Sequence, residues 1–136
     1  MKTLELCCFV LICLYVLFTI GCWSAHPTKA QIVGKWKVEH NFGTETLTFS
    51  SNGTYLQRLV EKNGNVIENR NRWELQSSEE ILSDTKVILH NAFIFWTPFG
   101  ERETQQENQD WTLEAVTEWG RLILSFSPDL PGFIRE

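Results

Sequence analysis

The sequence predicts an all-β protein: an up-and-down antiparallel β-barrel of about eight strands behind an apolar N-terminal signal or anchor helix. Three observations carry this reading. First, two Asn-Gly pairs, Asn52-Gly53 and Asn63-Gly64, sit between runs rich in Thr, Val, Tyr, Phe and Leu. That is the strongest short-range hairpin signal a sequence offers. Second, short strand-like runs recur from Ile32 to the end of the chain, separated by turn residues and with no amphipathic helix among them. Third, the four cysteines are Cys7, Cys8, Cys13 and Cys22. Nothing beyond Cys22 can form a disulfide, so the domain must stand on an apolar core and hydrogen-bond ladders. Six Trp and nine Phe supply much of that core.

The division of the chain follows. Residues 1–21 read as a signal peptide or membrane anchor, residues 22–31 as a tether, and residues 32–136 as the barrel domain. Leu6 to Trp23 is nearly continuous apolar sequence, slightly long for the core of a signal peptide and slightly short for a comfortable span. Trp23-Ser24-Ala25 makes a poor signal-peptidase site, because a bulky residue stands where a small one is wanted. The stretch itself reads as a cleaved secretory signal or as an uncleaved anchor. Each leaves the domain outside the cytoplasmic membrane or against it. Ser24 to Ala30 is a short polar tether.

Ile32, Gly34, Trp36 and Val38 alternate with Lys35, Lys37 and Glu39, which makes a first strand with one apolar face. Gly34 admits a neighbouring segment, while the Trp36 indole closes one end of the core. The two Asn-Gly turns then join three strands, over 44–50, 54–61 and 65–76. A three-residue loop with Gly in the left-handed position pairs Phe49 with Tyr55 and Leu59 with Ile67. One face then carries Leu47, Phe49, Tyr55, Gln57, Leu59, Ile67, Asn69, Asn71, Trp73 and Leu75. The other carries Thr, Ser, Arg and Glu, with Leu56 and Val60 as exceptions. A two-residue turn would mix Phe49 with Arg58 and is disfavoured on burial.

Ile81 to Asn91 supplies further strand. Ala92 to Thr97 is apolar on both faces and is expected to be buried rather than to form an exposed lip. Residues 101–110 contain no apolar side chain and read as a solvated loop or lid. Trp111 to Thr117 and Arg121 to Ser127 make a final hairpin, after which Phe133 and Ile134 fold back over a barrel end.

The Gly34-Lys35-Trp36 strand, followed by a meander with Phe49-x-x-Asn52-Gly53-x-Tyr55, resembles the lipocalin-like domains of small bacterial envelope proteins. In that family the Gly-x-Trp strand opens the barrel and the Trp plugs its closed end under a basic residue from a late strand. The resemblance implies that role for Gly34 and Trp36, with Arg121 or Arg135 as the basic residue. Thr19-Ile20-Gly21-Cys22 resembles the lipobox of bacterial lipoproteins, departing from it at Thr19. It implies that Cys22 carries the lipid.

Function is less legible. The net charge of −5, from 12 basic and 17 acidic residues, argues against a nucleic-acid partner. His26, His40 and His90 have no metal-ligand spacing, and no cofactor motif or nucleophile elbow occurs. No enzyme activity is expected. The informative oddity is polar residues on the inward face. Tyr55, Gln57, Asn69, Asn71 and Trp73 suit the lining of a small cavity for an apolar or amphipathic molecule, because a buried amide without a partner costs roughly 1–3 kcal/mol. Alternatively the strands extend past the core and the amides face water, or the register differs. Two functions follow: a membrane-tethered barrel binding such a molecule in its mouth, or a barrel with a filled core that binds a protein through a lip at residues 93–99. An enzyme with an unrecognised site is a distant third.

Overall fold

The structure is a computed structural model that describes residues 26–77, 85–96, 101–103, 108–127 and 130–136. Cys22 and the apolar stretch before it lie outside the described residues. Eight antiparallel strands close into a barrel in sequence order. They are β1 (Gly34–His40), β2 (Gly43–Phe49), β3 (Thr54–Glu61), β4 (Val66–Gln76), β5 (Thr85–Phe93), β6 (Asn108–Glu118), β7 (Arg121–Ser125) and β8 (Phe133–Arg135). Among the described residues, one short helix, α1 (Lys29–Ile32), precedes them.

Local chemistry sets the β2–β3–β4 register. Phe49 pairs with Tyr55 and Leu59 with Ile67, as the three-residue loops require. Gly53 (φ 85°) and Gly64 (φ 88°) take the left-handed positions. Ser50 N–H donates to the Thr54 carbonyl at 2.9 Å and Glu61 N–H to that of Asn65 at 2.9 Å. The Asn52 and Asn63 side chains accept from the amides of Thr54 and Asn65 and stiffen both turns.

We call the end of the barrel at Gly34 and Phe49 the base, and the end at His40 and Gly43 the mouth. At the base, α1 lays Ile32 into the core, and the Trp36 indole donates to the Ile32 carbonyl at 2.7 Å. Residues just before Gly34 therefore make a helix across the barrel end, not the start of the first strand. The interior is lined by alternate side chains, among them Trp36, Val38, Leu47, Phe49, Tyr55, Leu59, Trp73, Leu89, Leu113 and Phe133, all buried.

Two further segments depart from the sequence expectation. Residues 133–135 do not lie over a barrel end but form β8, the strand that joins β7 to β1. Strand β6 starts at Asn108, inside the segment expected to be a solvated loop. Arg102, in that same segment, is half-buried and pairs with Glu61 at 2.7 Å. Its guanidinium lies over the rings of Phe42 and Phe95, so an apparently all-polar stretch is held by cation–π contacts the residue types alone do not disclose.

Candidate functional site

The inward polar residues of β3 and β4 gather beside a break in the strand ladder, and the break explains why. β5 pairs with β4 only over Leu89 to Lys86, opposite Trp73 to Gln76. Its pairing with β6 jumps from Leu89 to Ala92, with Asn91 at φ 49°. A bulge of this kind leaves backbone N–H and C=O groups without ladder partners, and buried ones must be satisfied some other way.

Side chains supply those partners. Tyr55 donates its hydroxyl to the His90 carbonyl at 2.9 Å. Asn69 donates its amide to the Asn91 carbonyl at 2.7 Å. Asp110 accepts from Asn91 N–H at 3.1 Å. The Gln57 amide meets Phe93 twice, donating to its carbonyl at 2.8 Å and accepting from its N–H at 3.0 Å. Three of the five residues expected to line a cavity thus hold the backbone of residues 90–93. The other two lie elsewhere. Asn71 is half-buried and accepts from Arg72 N–H at 3.1 Å. Trp73 packs edge-on against Phe49 near the base and donates to the Ser50 carbonyl at 3.1 Å.

This environment moves two protonation equilibria. Burial pushes the Tyr55 phenol well above its ordinary range, against a smaller opposing effect of the Asn69 hydrogen bond. Asp110 is held below the usual carboxylate range, first by Asn91 N–H and then by His90.

Beneath the bulge lies a feature missed in the sequence. Glu45 is fully buried on the inward face of β2. Its Oε1 accepts from Gln57 at 2.8 Å. Its Oε2 accepts from the Trp96 indole at 3.2 Å and lies 3.2 Å from His40 Nε2. His40 is stacked on Phe42, with ring centroids 4.8 Å apart. The signal was parity: Glu45 shares the face of Leu47 and Phe49, where a carboxylate requires several donors.

The segment after β5 completes the closure. Phe95 and Trp96 are buried, Phe93 and Ile94 half-buried. The described part of the expected lip, residues 93–96, is thus a plug inside the mouth, held by Gln57 and Glu45. Among the described residues, one buried side-chain polar atom stays unmatched. The Trp111 indole N–H is buried with no partner, in an aromatic cluster with Trp96, Phe126 and Phe133.

At the base, Arg135 and not Arg121 stands beside Gly34 and Trp36. Arg135 pairs with Trp36 across the β1–β8 ladder and donates to the carbonyls of Gln31 (3.2 Å) and Val33 (2.9 Å). A Cβ on Gly34, already at φ 135°, would come within 3.1 Å of that guanidinium. Arg121 sits on the exposed β6–β7 hairpin opposite Glu118.

The outer wall carries its own feature. Val116, Ile123 and Ile134 are cross-strand partners on β6, β7 and β8 and form an outward aliphatic row. Beside it is a cleft of about 330 Å³ lined by Val116, Ile123, Leu130 and Pro131, with the carboxylates of Glu114 and Glu118. Ile134 is 56% exposed and Phe126 41%.

No family model matches the chain, and neither a curated protein nor a solved structure matches it.

Proposed function

We propose that this chain is an envelope-tethered, lipocalin-like barrel without enzymatic activity that binds a protein partner through its outer wall. The observation that carries the reading is the row Val116–Ile123–Ile134. Aliphatic side chains line up outward across three strands, next to a cleft with an acidic border. A strand face open to water normally alternates to polar residues there, and contiguous apolar surface marks contact sites. The complement is a segment presenting an apolar side chain beside a basic one. The filled interior supports the same reading, because Tyr55, Gln57 and Asn69 are engaged by the chain itself.

A photo-crosslinking residue at position 134, in cells of the native host, tests this. The reading expects one discrete protein adduct, lost when Ile123 is changed to Lys. Adducts to lipid alone, or an adduct indifferent to Ile123→Lys, would refute it.

A second reading has one observation in its favour. The unpaired Trp111 N–H could meet an acceptor carried by a small apolar or amphipathic molecule entering where β4 and β5 part. Titration with a fluorescent fatty acid separates the two. Saturable binding that Asn69→Leu abolishes supports cargo, and no saturable binding to the unsubstituted chain supports the filled barrel, in which Asn69→Leu only destabilises by stranding the Asn91 carbonyl.

A further inference from the structure

The β6–β7 hairpin ends in an arrangement that its local chemistry does not explain. Glu118 pairs with Arg121, so Trp119 and Gly120 are the two loop residues. Both have positive φ, 50° and 77°, the geometry of a type I′ turn. Such a turn favours Asn, Asp or Gly at its first position. A bulky side chain there is a backbone outlier, and strain of this kind tends to be kept where a side chain's position is used. Trp119 is 100% exposed. No packing of the domain repays it.

Its place in the fold identifies a partner. The hairpin lies at the base of the barrel. Thr85 of β5 pairs with Ala115, and β6 runs on for Val116, Thr117 and Glu118 past that level. The tip therefore overhangs Thr85 by about 10 Å, at roughly 3.3 Å per residue. The first described residue, His26, is also at the base, its ring 3.4 Å from the Thr85 hydroxyl. The chain before it contains the apolar stretch Leu6 to Trp23. His26, which the apolar N-terminal sequence precedes, and the exposed indole thus lie at the same end, with Arg121 and Lys29 exposed at that end as well.

We propose that Trp119 is a second membrane contact: the hairpin tip seats its indole at the lipid headgroup level and fixes how the tethered barrel stands on the bilayer. Indoles favour that level because an apolar ring and an N–H donor are satisfied there together. Arg121 and Lys29 are placed to meet lipid phosphates. The inference rests on the membrane tether of the proposed function, but not on its protein partner.

The test uses the full chain in vesicles of phosphatidylcholine and phosphatidylglycerol, compared with Trp119→Asn. That substitution creates the favoured Asn-Gly turn, so the fold should be retained or stabilised. The emission lost in Trp119→Asn is the contribution of Trp119. We expect this contribution to be quenched by lipids brominated near the headgroup and to be about threefold less accessible to iodide than in lipid-free detergent solution. If the chain floats with vesicles but the Trp119 contribution stays open to iodide and blind to bromolipid, the inference falls and the tether stands. If the chain does not float with vesicles, both fall.

Discussion

Gln57 and Phe93 are joined as two strands would be, yet one of the partners is a side chain. The Gln57 amide donates to the Phe93 carbonyl and accepts from its N–H. It replaces a ladder step lost where β5 bulges away from β4. The same group also donates to Glu45, so one residue links the plug in the mouth to the buried carboxylate below it.

Replacing Gln57 with Leu should therefore cost more than a typical core substitution. It strands the Phe93 N–H and carbonyl and removes one donor from Glu45. At about 1–3 kcal/mol for each group left unsatisfied in the interior, relieved partly by water entry, we expect a loss of about 3 kcal/mol in urea unfolding. Hydrogen exchange at the Phe93 amide should quicken before exchange at Leu47 or Leu59. Equal quickening at all three sites would show that no separate closing unit exists.

Glu45 calls for a paired comparison. Glu45→Gln keeps an acceptor but adds an N–H₂ group among donors, while Glu45→Ala removes the carboxylate that Gln57, Trp96 and His40 face and leaves Gln57 only the Phe93 carbonyl. We expect both to destabilise, Glu45→Ala by about 3 kcal/mol and Glu45→Gln by less. Emission from Trp96 should shift to the red in Glu45→Ala as water enters. A neutral effect of Glu45→Ala would mean that the carboxylate is not buried in solution.

Tyr55 predicts a limit at alkaline pH. Its folded pKa lies above the unfolded value of roughly 10, so its contribution is complete below that pH and is lost as pH rises toward the folded value. In a Tyr15→Phe background, which leaves Tyr55 as the remaining tyrosine, phenolate absorbance should appear only together with unfolding. Titration near pH 10 with the fold intact would contradict its burial. Tyr55→Phe should lessen the alkaline loss, at a cost near 1 kcal/mol for the bond to His90.

The base offers a contrast between two arginines. Arg135 donates to the Gln31 and Val33 carbonyls and holds α1 over the barrel end. Arg135→Ala should lower stability by about 1–2 kcal/mol and loosen residues 26–33, whereas Arg121→Ala on the exposed hairpin should stay within about 0.5 kcal/mol. Thermal unfolding of the two variants side by side decides this, and equal effects would refute the assignment of Arg135 to the base.

How much of this was legible in the sequence depends on the distance over which the deciding chemistry acts. Asn52-Gly53 and Asn63-Gly64 settle their turns within four residues, so the register from Phe49 to Trp73 could be derived. The inward amides could also be located, since parity follows from register. What they bond could not, because the bulge at Asn91 lies 22 residues from Asn69 and 34 from Gln57 in the chain. Strand β8 is three residues long and carries no periodic pattern of its own. It is a strand only because β1 and β7 present free edges to it. Choosing Arg135 over Arg121 needed that same closure. Glu45 shares the inward parity of Leu47, but a carboxylate there does not disclose its donors, since Gln57 and Trp96 lie 12 and 51 residues away in the chain.

The central claim is that the barrel is closed by its own chain and holds no cargo. Native mass spectrometry of the full chain, extracted from host membranes in mild detergent, tests it most directly. The expected result is the mass of the polypeptide with whatever is covalently attached at its N-terminal segment, and no noncovalent adduct that survives gentle activation. A stoichiometric small-molecule adduct, released at higher collision energy and absent from Asn69→Leu, would contradict it.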